Sequence, residues 1–297
     1  QEVNKMIAFA IDNGLTLPEG TENKYGIEIF KLGIPIYIDG KEYIDGKDIT
    51  GEEFIKMHDP NSDLKTAVPS PGFIEDFLRS IHKEGYDEVI YFGMSSKLSG
   101  LTGLVKMVAK TIDDMKIHVI DTRNVSIGAG FVVLKALELF KESHSLKDIV
   151  EVSKESYKNI KLLVSVMDLT RLINGGRLPR YKGMMANLLR VKPLLHISSN
   201  GELKLLQKTR TSSKLIRKMV TIMMEHIENR KTNLKIAVGW GHERMKDYAL
   251  EIQRVLKNEM SKFVDVIPDF ISVRLPSVLM CHTGLDVFGC VGYGEIG

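Results

Sequence analysis

Three short stretches carry the residue types that could hold or transfer an anionic group. Tyr91–Leu104, YFGMSSKLSGLTGL, sets Ser95, Ser96 and Ser99 between an apolar run ending at Phe92 and a helical repeat of Leu101, Leu104, Val105 and Val108. Lys65–Gly72, KTAVPSPG, puts Thr66 ahead of two prolines that stiffen the backbone. Cys281-His282-Thr283-Gly284 adds an imidazole and a further hydroxyl. A strand–loop–helix unit aims unpartnered N–H groups, and here hydroxyls, at one small volume where the helix dipole is positive. That volume suits an anion. Asp12, in the Ile11-Asp12-Asn13-Gly14 turn, can orient a ligand or a neighbouring hydroxyl, or simply close an Asx-turn. Each stretch also has a plain structural explanation. These are an N-cap with two solvated serines, a proline-ordered connection at Thr66, and a packed histidine beside a glycine turn.

The same residues admit several chemistries. With Ser96 or Ser99 as nucleophile and His282 as base, the chain would be a serine-dependent hydrolase or transferase. That requires a third, orienting group, for which Asp12 and Asp121 are available, but there is no G-x-S-x-G elbow. A phosphorylated-metabolite binder would use the Ser95–Gly100 loop, yet neither G-x-x-x-x-G-K-[ST] nor G-x-G-x-x-G occurs. A transcriptional regulator would need a helix-turn-helix signal, which is not visible. A binding protein needs only the hydroxyls.

The elements that must position these groups follow from periodicity. Met6–Ile11, Ile27–Phe30, Ile34–Ile38, Lys41–Ile44 and Ile117–Ile120 read as strands, with a hairpin at Asp39-Gly40. Thr50 and Glu53 form a capping box, and Ser70-Pro71 an N-cap with proline at N1. Ile127–Phe140 reads as an amphipathic helix, and Ser145 with Asp148 opens another. Beyond Lys161 come a strand at Leu162–Val166, a short helix Asp168–Asn174, and the basic run Arg177–Lys182. An apolar helix face of Met184, Met185, Leu188 and Leu189 follows, then a hairpin around Asn200-Gly201. Leu215–Ile227 and Tyr248–Leu256 read as helices, and Leu234–Trp240, Phe263–Ile267, Phe270–Leu275 and Val287–Val291 as strands. The expected fold is α/β with two domains, residues 1–160 and 161–297. The first carries a mostly parallel sheet flanked by helices, the second a mixed sheet and helices.

The 297 residues, 43% apolar and 27% charged, support such a globular core. A net charge of +3 is too small to argue for nucleic acid. Two cysteines without a C-x-x-C give no zinc site and no disulfide framework. No apolar run is long enough to span a bilayer, and the start does not read as a signal peptide, so a cytoplasmic location is expected.

Taken in order, several of these stretches resemble the DegV family. They are Ile11–Gly14, Asp39-Gly40, Ile44-Asp45-Gly46-Lys47-Asp48-Ile49, Lys65-Thr66 with Pro69-Ser70-Pro71, Ser95–Gly100, Val119–Thr122, Gly175-Gly176-Arg177 and His282-Thr283-Gly284. The resemblance covers essentially the whole chain. It implies two α/β domains holding a long-chain fatty acid in a buried tunnel between them. It also implies a non-catalytic role, presenting the acid's carboxylate to a separate kinase subunit for acyl-phosphate formation. No cofactor or metal is expected. By the same resemblance Thr66, Ser96 and His282 bind the carboxylate, supported by Ser95, Ser99 and Thr283. Arg177 would sit at the exterior as a kinase or membrane-surface contact. The chain departs from the family pattern at Asn13-Gly14, Ala67 and Leu101, where hydroxyl residues are usual.

Overall fold

The computed structural model describes residues 7–59, 61–183, 191–230, 232–263 and 267–296, and the backbone alone of 184–187. Four short apolar runs, β1 (Ile7–Asp12), β2 (Ile29–Leu32), β6 (Glu88–Gly93) and β7 (Lys116–Asp121), form one fully parallel sheet in the order β2-β1-β6-β7. Between β2 and β6 the chain makes a second, antiparallel sheet from β3 (Pro35–Ile38), β4 (Lys41–Ile44) and β5 (Leu64–Thr66), ordered β4-β3-β5. The expected Asp39-Gly40 turn joins β3 and β4, with both residues at positive φ. Helices α1 (Thr21–Tyr25), α2 (Gly51–Met57), α3 (Pro71–Lys83) and α4 (Leu101–Ala109) connect these strands. The Thr50–Glu53 capping box and the Ser70 N-cap are both formed.

After β7 come α5 (Ser126–Lys141) and α6 (Leu146–Glu155), the latter capped by Ser145. The remaining strands build a mixed six-stranded sheet. They are β8 (Ile160–Val166), β9 (Lys192–Ile197), β10 (Leu203–Thr209), β11 (Thr232–Trp240), β12 (Phe270–Arg274) and β13 (Val287–Glu295), in the order β10-β9-β8-β13-β11-β12. Only β11 and β12 pair in parallel there. Helices α7 (Thr170–Asn174), α8 (Ser212–Glu228), α9 (Lys246–Met260) and α10 (Ser277–Thr283) complete the chain, and Pro179–Asn187 runs as 3-10 turns.

Two expectations differ from what is found. Ile127–Phe140 is helical but not amphipathic: α5 is buried on nearly every side, because it packs against β6 on one flank and β8 and β13 on the other. Cys281-His282-Thr283 belongs to a helix, α10, ended by Gly284 at φ 68°, rather than to a bare turn. The apolar face expected from Met184, Met185, Leu188 and Leu189 lies outside the described side chains. The middle of the expected strand Phe263–Ile267, and Met6, lie outside the described residues.

One tie between the parallel sheet and the six-stranded one is a buried serine in the loop after β6. Ser95, fully buried, donates to the Gly201 carbonyl at 2.8 Å in the β9–β10 turn. Gly201 sits at φ 88°, and a Cβ there would stand 2.3 Å from Ser95 Oγ, so the turn can approach only as glycine. Ser95→Ala leaves that carbonyl without its donor and is expected to cost about 1–3 kcal/mol. Gly201→Ala, strained and clashing, is expected to cost at least as much. Urea unfolding tests this, and unchanged midpoints in both variants would contradict the clamp.

Candidate functional site

Where the three sheets meet there is a cavity with about 1020 Å³ of empty space, its open mouth included. Its wall is mostly aliphatic, with Ile34, Leu98, Ile127, Leu162, Ile197 and Leu203 among its members. The polar wall groups are few: Thr66, Ser99, Ser126, Arg177, His282 and Thr283, with the Cys290 thiol.

Thr66 and His282 are brought together. Thr66 Oγ1 lies 2.8 Å from His282 Nε2, although 216 residues separate them. Thr66 is placed because β5 pairs with β3, Thr66 facing Ile36, before the prolines end the strand. The strand stops just short of Pro69 and Pro71, which cannot continue it. His282 is placed by α10, whose N-terminus is held by Asp45. Ser277 Oγ and the Val278 N–H donate to the Asp45 carboxyl, which burial pushes up to about 6 despite those donors. Asn13 Nδ2 in turn donates to the Asp45 carbonyl at 2.6 Å. Asp45 is a positioning group that sequence reasoning left without a role. Its motif was visible, but its partner lies more than 230 residues away.

Burial first, and then the Arg177 charge, hold the His282 pKa down to about 4. The ring is neutral at neutral pH, so it donates at one nitrogen and accepts at the other. When Nε2 carries the proton it donates to Thr66 Oγ1, which leaves the Thr66 hydroxyl hydrogen for a ligand. Arg177 was expected at the exterior. Its side chain instead lines the cavity, half-buried, with Nε donating to the Leu98 carbonyl at 3.1 Å and Nη1 to the Gly175 carbonyl at 2.6 Å. It thereby fastens the serine loop to the segment after α7.

The serines separate. Leu98 and Ser99 donate their N–H groups to the Ser95 carbonyl, closing a helical turn. Ser99 falls on the cavity wall, while Ser96 is exposed and off it, its N–H directed to the Asp121 carboxylate at 3.3 Å. Ser96 is therefore not part of the assembled polar group. Ser95 is spent on Gly201, and Thr283, on the wall, donates to the carbonyls of Leu279 and Gly284. Ser126 was not anticipated. It lines the cavity at φ 49°, 3.1 Å from Thr16 Oγ1, and only the start of a helix after Asp121 marked its position. Asp12 closes the expected Asx-turn on Gly14 and also accepts from the Met94 N–H, both at 2.8 Å. Of the three departures, Gly14, Ala67 and Leu101, none forms the cavity wall, and Leu101 is packed in the core. Among the described residues no group of acidic, histidine and cysteine side chains could hold a metal ion. Among them no helix is long and apolar enough to cross a membrane.

Comparison with known proteins decides the family. Residues 6–295 match the model of the DegV family, described as an uncharacterised protein family. The chain belongs to the DegV family. A DegV domain-containing protein of Caldanaerobacter subterraneus is 32% identical over 290 residues, covering 95% of this chain and 97% of the relative. Among solved structures, a DegV family protein of Streptococcus agalactiae, described as fatty acid binding, superposes with a TM-score of 0.86 at 27% identity. That match covers 98% of this chain and 99% of the other. A stearic acid-binding protein of Eubacterium ventriosum gives 0.83 at 22% identity, with 98% and 99% covered, which shows the shared fold.

The depressed His282 pKa carries a sign. Between about 4 and 6.5 the unfolded chain binds a proton that the folded chain does not. The contribution is therefore fully present above pH 6.5 and is lost as the pH falls towards 4. His282→Gln is expected to flatten the acid limb of the stability curve, by at most about 3 kcal/mol between pH 7 and pH 4. Parallel limbs in the two proteins, with a His282 resonance titrating near 6.5, would contradict this assignment.

Proposed function

We propose that this DegV protein binds a long-chain fatty acid in the cavity, with the carboxylate at Thr66 and His282 and the alkyl tail along the aliphatic wall. The observation that carries the reading is the mostly apolar junction cavity, whose few polar lining groups include the Thr66–His282 pair, with Ser99, Ser126, Arg177 and Thr283. The fatty acid binding of the Streptococcus agalactiae relative supports it. The tail supplies the affinity: roughly 0.8 kcal/mol for each buried methylene, less the cost of ordering the chain. The head group must not be stranded, since a buried unpaired carboxylate costs several kcal/mol. Hydrogen bonds to a charged group contribute roughly 1.5–3 kcal/mol each, so the hydroxyls of Thr66, oriented by the imidazole, and of Ser99 offset that cost. The acid would lie between an N-terminal domain, residues 1–160, and a C-terminal domain, 161–297.

The finer role we propose is that of a carrier, with no turnover of its own, that presents the carboxylate to a separate kinase subunit for acyl-phosphate formation. Arg177, spanning from the cavity wall to partial exposure beside the exposed Arg180, is where head group, kinase and membrane surface would meet. Two observations argue against the other chemistries. The hydrogen bond of His282 goes to Thr66, not to a serine, and no carboxylate orients the ring among the described residues. The N–H groups of Ser96, Lys97, Leu98, Ser99 and Leu101 are already donated within the protein, which leaves a poor cradle for a phosphate.

Thr66→Ala and His282→Ala are each expected to weaken binding of a fluorescent or isotope-labelled fatty acid by about tenfold or more. Ser96→Ala is expected to bind like the parent. Titration of delipidated protein measures all three. A loss confined to Ser96→Ala would move the carboxylate to the outer face of the loop, and retained affinity in all three would remove the site. Addition of a fatty-acid kinase catalytic subunit and ATP tests presentation, through acyl phosphate formed only with the loaded carrier.

A further inference from the structure

Gly14 is buried beside the cavity, and its backbone is not in the left-handed region that would demand glycine. Space is what demands it. A Cβ at this position would stand 1.9 Å from Met94 Cε, 3.1 Å from Met94 Sδ and 2.9 Å from Asp12 Oδ1, so the severest clash is with the flexible end of Met94 and a smaller one is with the carboxylate. The end of the Met94 side chain therefore occupies the room that any other residue at 14 would fill, and the same Met94 lines the cavity.

Neither backbone is free to yield. The Gly14 N–H donates to Asp12 Oδ1 at 2.8 Å, and its carbonyl accepts from the Ser126 N–H at 2.8 Å. The Met94 N–H donates to Asp12 Oδ2 at 2.8 Å, and its carbonyl accepts from Thr102 Oγ1 at 2.6 Å. One buried carboxylate thus holds both residues in register. What remains adjustable is the thioether, the most pliant apolar side chain. If the pocket over Gly14 is filled, the thioether has to move, and the cavity that it already lines is the open space beside it.

We propose that the Gly14–Met94 pair sets the calibre of the acyl chamber: the missing side chain at 14 parks the Met94 thioether and keeps room for a longer or bulkier chain. The proposal rests on the fatty-acid reading above and adds its size selection. Gly14→Ala should displace the thioether by about one methyl diameter, so that the longest accepted chain loses about one or two methylenes. Each methylene that no longer fits costs roughly fourfold in affinity. Met94→Ala should do the reverse.

The experiment is competitive loading of the full chain, after delipidation, with an equimolar mixture of laurate, myristate, palmitate, stearate and arachidate, read by native mass spectrometry. The expected result is a shift of the Gly14→Ala profile to shorter acids than the parent's. The Met94→Ala profile should move to longer ones, and the double variant should return towards the parent or beyond it. Thermal unfolding is followed alongside, and Met94→Ala, which only removes atoms, keeps the test decisive if Gly14→Ala does not fold. A parent that loads normally while the folded variants keep its profile would overturn the proposal and leave the fatty-acid reading intact. A parent that takes up none of the acids would overturn that reading, and the proposal with it.

Discussion

The hydrogen bond between Thr66 and His282 is the contact on which the arrangement of the site depends. It closes a loop of more than two hundred residues, and neither partner is positioned locally. Thr66 is the last residue of a three-residue strand held by its pairing with β3. His282 is in the last turn of a seven-residue helix, too short to be stable in isolation. That helix is fixed from outside, by the Asp45 carboxyl at its N-terminus and by the packing of Met280, Cys281 and Leu285 against Ile36, Phe54 and Leu64. The small antiparallel sheet is thus a bracket. It holds strand end and helix end against each other beside a cavity whose other walls belong to the six-stranded sheet, the loop after β6 and the start of α5.

Those larger sheets must approach without filling the space between them. Helix α5 carries most of that load, buried among β6, β8 and β13, and its first residues, Ser126 and Ile127, form part of the cavity wall. On the other side the Ser95–Gly201 hydrogen bond pins the serine loop to the β9–β10 turn. Asp12 fastens the same loop to the end of β1 through the Met94 N–H. Burial pushes the Asp12 pKa up to about 6 in spite of three donors, a sign of how little solvent reaches this junction. The loop that read from sequence as a ligand cradle is, for Ser95 and for most of its N–H groups, a structural weld. Only its last hydroxyl, that of Ser99, is left to the cavity.

The fold was legible where the signal is local. Apolar runs bounded by turn residues located most strands, the Thr50–Glu53 and Ser70-Pro71 pairs marked two helix starts, and Asp39-Gly40 marked a hairpin. The amphipathic reading of α5 failed because a helix between two sheets has no wet face, and its glycines and alanines diluted the apolar pattern. Helix α10 was missed because proline and a short, mixed sequence gave it no periodicity. At the site, residue type and family order picked out Thr66 and His282, and the structure brings them together. They did not separate Ser96 from Ser99, because which hydroxyl faces inward depends on the turn closed by the Ser95 carbonyl. Nor did they assign Asp45 or Ser126, whose partners are distant in the chain.

A carrier has to satisfy two opposed requirements, retention of an apolar tail and release of a charged head, and the polarity of this wall bears on the second. A lysine or a protonated histidine in direct contact would hold a carboxylate through a strong, weakly screened ion pair. Here the group that touches Thr66 is an imidazole kept neutral by burial and by Arg177, and the Arg177 guanidinium is already engaged by the carbonyls of Leu98 and Gly175. In the proposed site the head group would meet the neutral hydroxyls of Thr66 and Ser99 and a positive charge already partly neutralised by local dipoles. On the proposed reading affinity would reside in the tail, and the carboxylate oxygen would stay nucleophilic enough to be phosphorylated. An anion on this wall would offset the Arg177 charge, the lesser of the two causes that depress His282, while burial, the larger, would keep the imidazole neutral.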